Sequence, residues 1–238
     1  MITAFALLFC FQGEGYFERV SPYIFNGDVR SLPRMAGWKP GDPLFEIPRR
    51  SGNDALVEPQ NVPAQIDPLL SPQRIYDQSG LLGGLQILQN VAGQANTGSN
   101  VPDANGQAGL TYYIQVVNRF QTSPLRFGTA VQIYNKSDMS LAAGPFVLDT
   151  LGSGDCSAGL GDPCVIWDYQ AERWIISEMS RTKLSLCVYV SQTADPLSGG
   201  WFHYSFNPPN ALDYPHIAVW GDSYIVTTNE NKQAIYAL

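Results

Sequence analysis

Two aspartates at similar places in two similar stretches are the first candidates for chemistry. Asp162 and Asp213 each come just before the proline of a short apolar segment, GDPCVIWD and DYPHIAVW. A pair of carboxyl groups about 5–10 Å apart is what glycoside hydrolysis requires. The same residue type also caps tight turns, because its side chain accepts backbone hydrogen bonds. Both interpretations stay open. The repetition favours the second one, in which each aspartate caps its own turn.

Asp103 and Asn105 are candidate metal ligands. They place oxygen atoms at alternate positions directly before Gly106, as at the start of a calcium loop, although the bidentate glutamate of such loops is absent. Extracellular calcium fills even sites with dissociation constants on the order of 1 mM. The alternative is a turn closed by the Asp side chain without metal.

Aromatic residues nearly alternate in WFHYSF, residues 201–206. Alternation places Trp201 on one face of a strand and Tyr204 on the other. Both are candidate ligand-binding residues, because aromatic ring faces suit sugar rings; packing between sheets is the alternative. His203 and His216 lie in apolar strands, and no G-x-S-x-G motif provides a nucleophile for them.

The four cysteines predict a disulfide rather than a metal site. No Cys-x-x-Cys pair occurs, so the spacing of a structural zinc site is missing. Cys156 in a glycine-rich loop and Cys187 in LSLCVYVS are the expected pair in an oxidising compartment. Cys164 is expected to be a buried free thiol.

Composition favours an all-β protein that works outside the cytosol. Hydrophobic residues make up 45% of the 238 residues and charged residues only 15%, with 22 glycines and 17 prolines. The net charge is −7, and no basic cluster larger than Arg49-Arg50 is present. Nucleic acid is therefore not an expected partner.

Three segments repeat one pattern of an aromatic residue, β-branched residues and a polar end. They are YIQVVN (113–118), WIISE (174–178) and YIVTTN (224–229). A period of roughly 50–60 residues with about four short strands per unit is typical of β-propeller blades. The sequence therefore predicts repeated four-stranded sheets that form a β-propeller-like domain.

The length predicts an incomplete propeller. Residues 109–238 hold about two and a half blades, fewer than closure requires, so we expect truncation at the C-terminus and an unpaired last strand. Residues 20–108 are expected to form an extended Pro/Gly-rich leader and loops packed on this domain. Residues 1–19 contain the apolar run ITAFALLFCF, which is too short to span a bilayer. It is a signal peptide, a first strand or the remnant of a longer chain.

Several motifs resemble those of a family of large secreted bacterial proteins. The segments are PDANGQAGLTYYIQVVN, GDPCVIWDYQAERWIISEM and DYPHIAVWGDSYIVTTNE, and the likeness covers roughly residues 20–238. The resemblance implies an extracellular β-propeller-like domain within a longer secreted or surface protein. The family has no agreed activity, so the resemblance adds little chemistry.

The expected function is that of a non-enzymatic extracellular scaffold or binding module. Its expected partners are glycans or extracellular proteins, together with further blades of the parent chain, and no transmembrane span is expected. The alternative is a polysaccharide hydrolase that uses aspartate carboxylates. Calcium is the one cofactor that the sequence suggests.

Overall fold

The computed structural model describes residues 5–9, 17–45, 89–122, 125–183, 185–230 and 234–238. The chain divides into two compact units, residues 1–52 with 92–238 and residues 53–91. All the strands below belong to the first unit. Residues 46–88, about half of the predicted leader, lie outside the described residues.

The described residues form sixteen β-strands and three short 3-10 turns. The strands are β1 Phe5–Phe9, β2 Phe17–Val20, β3 Tyr23–Phe25, β4 Asn105–Ala108, β5 Tyr112–Asn118, β6 Gln121–Thr122, β7 Leu125–Arg126, β8 Thr129–Asn135, β9 Leu141–Val147, β10 Gly159–Asp168, β11 Arg173–Ser180, β12 Leu186–Ser191, β13 Trp201–Phe206, β14 Asp213–Trp220, β15 Ser223–Asn229 and β16 Ala234–Ala237. The 3-10 turns are Val29–Ser31, Leu148–Leu151 and Gly154–Ser157.

Three antiparallel sheets follow one another along the chain. The first has the order β4-β5-β8-β9, the second β10-β11-β12-β13-β3 and the third β14-β15-β16-β1-β2. Strands β6 and β7 form a separate two-stranded ribbon in the connection between β5 and β8. The all-β prediction is confirmed. The described residues form no closed barrel or propeller, so the blade number stays a prediction.

The three repeated segments occupy the second strand of their sheets, as β5, β11 and β15. Each follows the first strand through a short turn and is flanked on its other side by the third strand, β8, β12 or β16. The pattern of an aromatic residue followed by β-branched residues therefore identifies the second strand of each sheet.

The last strand is not an open edge, contrary to the expectation. β16 pairs with β1, with Leu8 opposite Ala237 and Phe9 opposite Tyr236. β2 then pairs with β1 and extends the same sheet. Residues 5–9 are thus a strand, and the backbone groups of β16 on that side find partners in it.

The leader contributes one strand to the second sheet. β3 pairs with β13, with Trp201 opposite Phe25 and His203 opposite Tyr23. Pro22 precedes β3, and proline is tolerated next to an edge strand because its missing donor faces no partner. The first sheet begins at Asn105, inside the range expected to be leader and loops.

Two hydrophobic clusters lie on either side of the second sheet. One joins it to the first sheet and includes Trp167, Trp174 and Trp201. The other joins it to the third sheet and includes Tyr204 and Tyr236. A sheet that is covered on both faces needs apolar residues on both, and every residue of β12 is buried accordingly. The second sheet is therefore the middle layer of the three.

Candidate functional site

The first strands of the second and third sheets carry the same bulge beside a proline. The pairing register shifts just before Cys164 in β10 and just before His216 in β14. Asp162 and Tyr214 lie in these bulges, with φ angles of 51° and 49°. Residues other than glycine rarely adopt this left-handed conformation, so the two residues hold the same exceptional place in the two sheets.

The first sheet has a comparable bulge at Asp103, whose φ is 38°. The Asn118 N–H donates to the Pro102 carbonyl at 2.8 Å, while Asn105 lies opposite Val116. Two residues lie between Pro102 and Asn105, but only one lies between Val116 and Asn118. The strand before β5 therefore has one extra residue at this point. Asp103 therefore matches the two bulge residues of the later sheets.

The expected equivalence of Asp162 and Asp213 is wrong. Tyr214 is the residue that matches Asp162, since both directly precede the proline of the bulge. Asp213 instead matches Gly161. The extra tyrosine in Asp-Tyr-Pro moves the acid by one position, and one position on a strand reverses the side-chain direction. The two carboxyl groups thus do not occupy matching places.

Asp103 and Asp162 meet at the buried amide of Asn118. The Asn118 Nδ2 group donates to Asp103 Oδ2 at 2.9 Å and to Asp162 Oδ1 at 3.0 Å. Its Oδ1 accepts the backbone N–H of Asp162 at 2.7 Å. Burial raises the pKa of Tyr214, and the negative charges of Asp103 and Asp162 raise it further. The bulge residues therefore form a polar junction in which Asp103 and Asp162 have structural partners.

The structure does not bring Asp103 and Asn105 together as calcium ligands. The Oδ1 atom of Asn105 accepts the backbone N–H of Val165 at 2.9 Å and so links β4 to β10. Asp103 instead accepts from Asn118. Within the described ranges, no group of three or more His, Cys, Asp or Glu side chains is placed to hold a metal ion.

Trp201 and Tyr204 are not exposed platforms for a ligand. Both are buried, in the two hydrophobic clusters on opposite faces of the second sheet. The Trp201 Nε1 group donates to the Pro196 carbonyl at 3.1 Å. The sequence pattern shows the alternation but not the burial, because both faces of this sheet are covered by neighbouring sheets. A ligand would not reach either ring.

His203 contacts a serine but lacks the third member of a catalytic relay. Its Nε2 atom lies 3.1 Å from Ser153 Oγ, and its ring stacks on Tyr23 at 4.9 Å. Its Nδ1 atom is buried without a hydrogen-bond partner in the described part of the chain. Burial lowers the pKa of His203 to about 4. In the Ser–His–Asp arrangement an acid orients the other ring nitrogen, and the described residues place none at Nδ1 of His203.

Cys156 and Cys187 form a disulfide that joins the Gly154–Ser157 turn to β12. Cys164 is a free, buried thiol, and burial raises its pKa. These are the states that the sequence favours for the three residues.

Sequence reasoning missed a buried ionisable cluster between the first and second sheets. The completely buried Glu178 accepts a hydrogen bond from the Tyr189 hydroxyl at 3.2 Å. Burial, and then the charge of Asp149, raise the pKa of Glu178 to about 8. Asp149 accepts from the Gly159 N–H at 3.4 Å, and a Cβ atom on Gly159 would collide with the Glu178 carboxyl group. Both acids therefore meet at Gly159.

The signal for this cluster is present in the sequence. Glu178 interrupts the otherwise apolar and small residues of WIISEMS, residues 174–180. A charged residue inside a strand that is covered on both faces needs partners in the interior. The pattern alone treats Glu178 as the polar end of a strand, because it does not show that β11 continues to Ser180.

Two aromatic side chains project from the hairpin turns of the second and third sheets. Trp220 is 75% exposed and Tyr169 is 68% exposed. Trp220 pairs with Ser223 as Asp168 pairs with Arg173, so it takes the place of the aspartate and not that of Trp167. It is exposed because it lies on the same face of β14 as His216 and Ala218, which no other sheet covers.

A shallow cavity of about 380 Å³ lies beside these two turns. Its lining includes the residues on either side of Tyr169 and on either side of Trp220. The Asp168 carboxylate accepts from the Tyr224 hydroxyl at 2.7 Å and from two backbone N–H groups of its own turn. Tyr169 and Trp220 do not line the cavity themselves, and the Tyr169 hydroxyl donates to the Ala108 carbonyl at 3.5 Å. We call this cavity, with the neighbouring residues Tyr169 and Trp220, the turn site.

None of the family models, curated proteins or solved structures compared with this chain matches it. The resemblance to secreted bacterial proteins therefore stays a prediction. In the part of the chain that the structure describes, no helix has the length and apolar character needed to cross a membrane.

Proposed function

We propose that this chain is a binding module of β-propeller type that acts outside the cytosol and recognises glycans at the turn site. The three sheets support a propeller-type module, because they follow each other along the chain and begin with matching bulged strands. The exposed rings of Trp220 and Tyr169, which are next in the chain to residues that line a cavity, carry the binding proposal. No catalytic step is included in it.

The turn site suits a sugar better than a protein partner. Exposed tryptophan is uncommon on a folded surface, and an aromatic ring offers apolar area with little loss of side-chain entropy. Asp168, Asp222 and Ser223 give the cavity polar atoms that match sugar hydroxyl groups. A stable protein–protein interface buries roughly 800 Å² on each partner, which is much more than this small cavity presents.

The hydrolase alternative has less support. Glycoside hydrolysis needs two carboxyl groups that flank the scissile bond. Asp162 is hydrogen-bonded to Asn118, and its predicted partner Asp213 does not match its position. Glu178 has the raised pKa of a general acid, but it is enclosed in the interior.

The extracellular assignment is supported by the disulfide and by the composition. Disulfides persist in oxidising compartments and are rare in the cytosol. The Cys156–Cys187 bond lies in the interior, where it links a turn to the middle sheet. The low content of charged residues agrees with the same compartment.

A glycan microarray probed with the intact chain tests the proposal, followed by titration of the best-bound glycan. We expect Trp220→Ala to weaken binding by about tenfold or more, as loss of an aromatic side chain that carries binding energy does. Ile235→Ala is the matched control, because it removes another exposed apolar side chain from the third sheet, opposite Thr227 and away from the turn between β14 and β15. Unchanged binding by Trp220→Ala, or release of new reducing ends from the glycan, would contradict the proposal.

A further inference from the structure

A second cavity, of about 470 Å³, lies on the first sheet and is separate from the turn site. Residues 33–43 form one wall, and the ends of β5 and β9 with residues 97 and 98 form the other. Its lining includes two arginines, Arg34 and Arg119, and the ring of Trp38. The volume lies within the range of roughly 300–1,000 Å³ that is usual for small-molecule sites.

Arg119 is a buried cation with an incomplete set of partners. It is only 3% exposed, although it lines this cavity. Its Nη1 group donates to Gln121 Oε1 at 3.2 Å, whereas its Nε atom has no hydrogen-bond partner among the described residues. Nε and Nη2 together form the side of a guanidinium that holds a carboxylate by two parallel hydrogen bonds. Among the described residues, the guanidinium group of Arg119 therefore has a side-chain acceptor at Nη1 and none at Nε.

The neighbouring acids do not neutralise Arg119 directly. In the described residues, no ion pair within 4.0 Å joins it to Asp149 or to Glu178. Burial lowers the pKa of Arg119, and the charge of Asp149 is the largest of the effects that oppose it. Asp42, which lines the same cavity, accepts the backbone N–H of Lys39 at 2.8 Å. A buried charge without a bonded counter-charge is costly, so an anion supplied from outside would stabilise it.

We propose that this cavity binds the carboxylate of a small polar ligand, such as an acidic sugar, at the guanidinium group of Arg119. The planar fork of arginine selects a planar carboxylate. Arg34 adds a second positive charge at the exposed side of the cavity, and Trp38 offers a ring to the body of the ligand. The proposal does not depend on glycan binding at the turn site, because the two cavities share no lining residue.

Calorimetric titration of the full chain with glucuronate, glucose and inorganic phosphate tests this proposal. Glucuronate is expected to bind, and glucose, which has the same ring without the carboxylate, is expected not to. Arg119→Lys keeps the charge but loses the fork, so binding should weaken by about tenfold or more. Lys183→Gln is the control, since this exposed lysine lies outside the cavity.

Arg34→Gln provides a test that does not disturb the interior, because Arg34 is exposed. It should weaken glucuronate binding by about threefold or more, while Lys183→Gln leaves it unchanged. Three results would overturn the proposal: no glucuronate binding, equal binding of glucose and glucuronate, or tighter binding of phosphate. Equal affinities of the Arg34→Gln and Lys183→Gln variants for glucuronate would also overturn it.

Discussion

The carboxyl group of Glu178 is buried beside the Tyr189 hydroxyl and the backbone of Gly159. Its pKa rises from an ordinary 4.5 to about 8, first because of burial and then because of the charge of Asp149. Between these two pH values, the folded state keeps a proton that the unfolded chain releases. By linkage, the contribution of Glu178 to the free energy of unfolding is complete below about pH 4.5 and decreases until about pH 8.

We predict that Glu178→Gln removes this pH dependence. Glutamine has nearly the same shape and stays neutral, so its variant should gain stability relative to the wild type as the pH rises from 5 to 8. Thermal unfolding at several pH values measures the difference between the two melting temperatures. Glu172→Gln, in an exposed turn, is the matched control and should show no such trend. A constant difference between the Glu178→Gln variant and the wild type would contradict the buried, protonated state.

At the level of turns and strands, the disulfide fixes the Gly154–Ser157 turn against β12 across a separation of 31 residues. A crosslink that closes a loop of this length stabilises the folded state by about 3–4 kcal/mol in the chain-entropy account. The Tyr189 hydroxyl also donates to the Cys156 carbonyl at 3.1 Å, so the disulfide and this hydrogen bond attach the turn to β12 together.

We predict that replacing both Cys156 and Cys187 by alanine lowers the free energy of unfolding by about 3 kcal/mol. Denaturant unfolding with and without a reducing agent measures this loss. The reductant should destabilise the wild type and leave the double variant unchanged, because the remaining Cys164 is already a free thiol. A wild type that is equally stable under both conditions would argue against the bond.

The sequence predicts the second strand of each sheet well, and the pairing between distant strands poorly. β5, β11 and β15 share an aromatic residue and a β-branched run, which fit a pleated and buried surface. The pairing of β1 with β16 and of β3 with β13 joins segments far apart in the chain. No local pattern specifies such contacts.

Register is the second limit of prediction from the sequence. Trp167 and Trp220 both end an apolar strand and come just before a turn, but they differ by one position relative to the neighbouring strand. The two rings therefore point to opposite faces of their sheets, and Trp220 lies on the outer face of the third sheet, where it is exposed. Asp162 and Asp213 likewise differ by one position relative to the neighbouring strand. The candidate carboxylate pair could not be tested without knowing these bulges.

For the whole set of three sheets, the central feature is the order in which they pack. The second sheet is covered by the first on one face and by the third on the other. The third sheet has an outer face with exposed side chains, including Trp220 and Ile235. Local opening should be rarer in the covered sheet, because it would expose two buried faces at once.

Amide hydrogen exchange of the intact chain, followed by mass spectrometry, tests this order most directly. Peptides from residues 174–180 and 186–191, in β11 and β12, should exchange more slowly than peptides from residues 213–220 and 223–229, in β14 and β15. Equal or slower exchange in β14 and β15 would contradict a structure in which the second sheet is the middle layer.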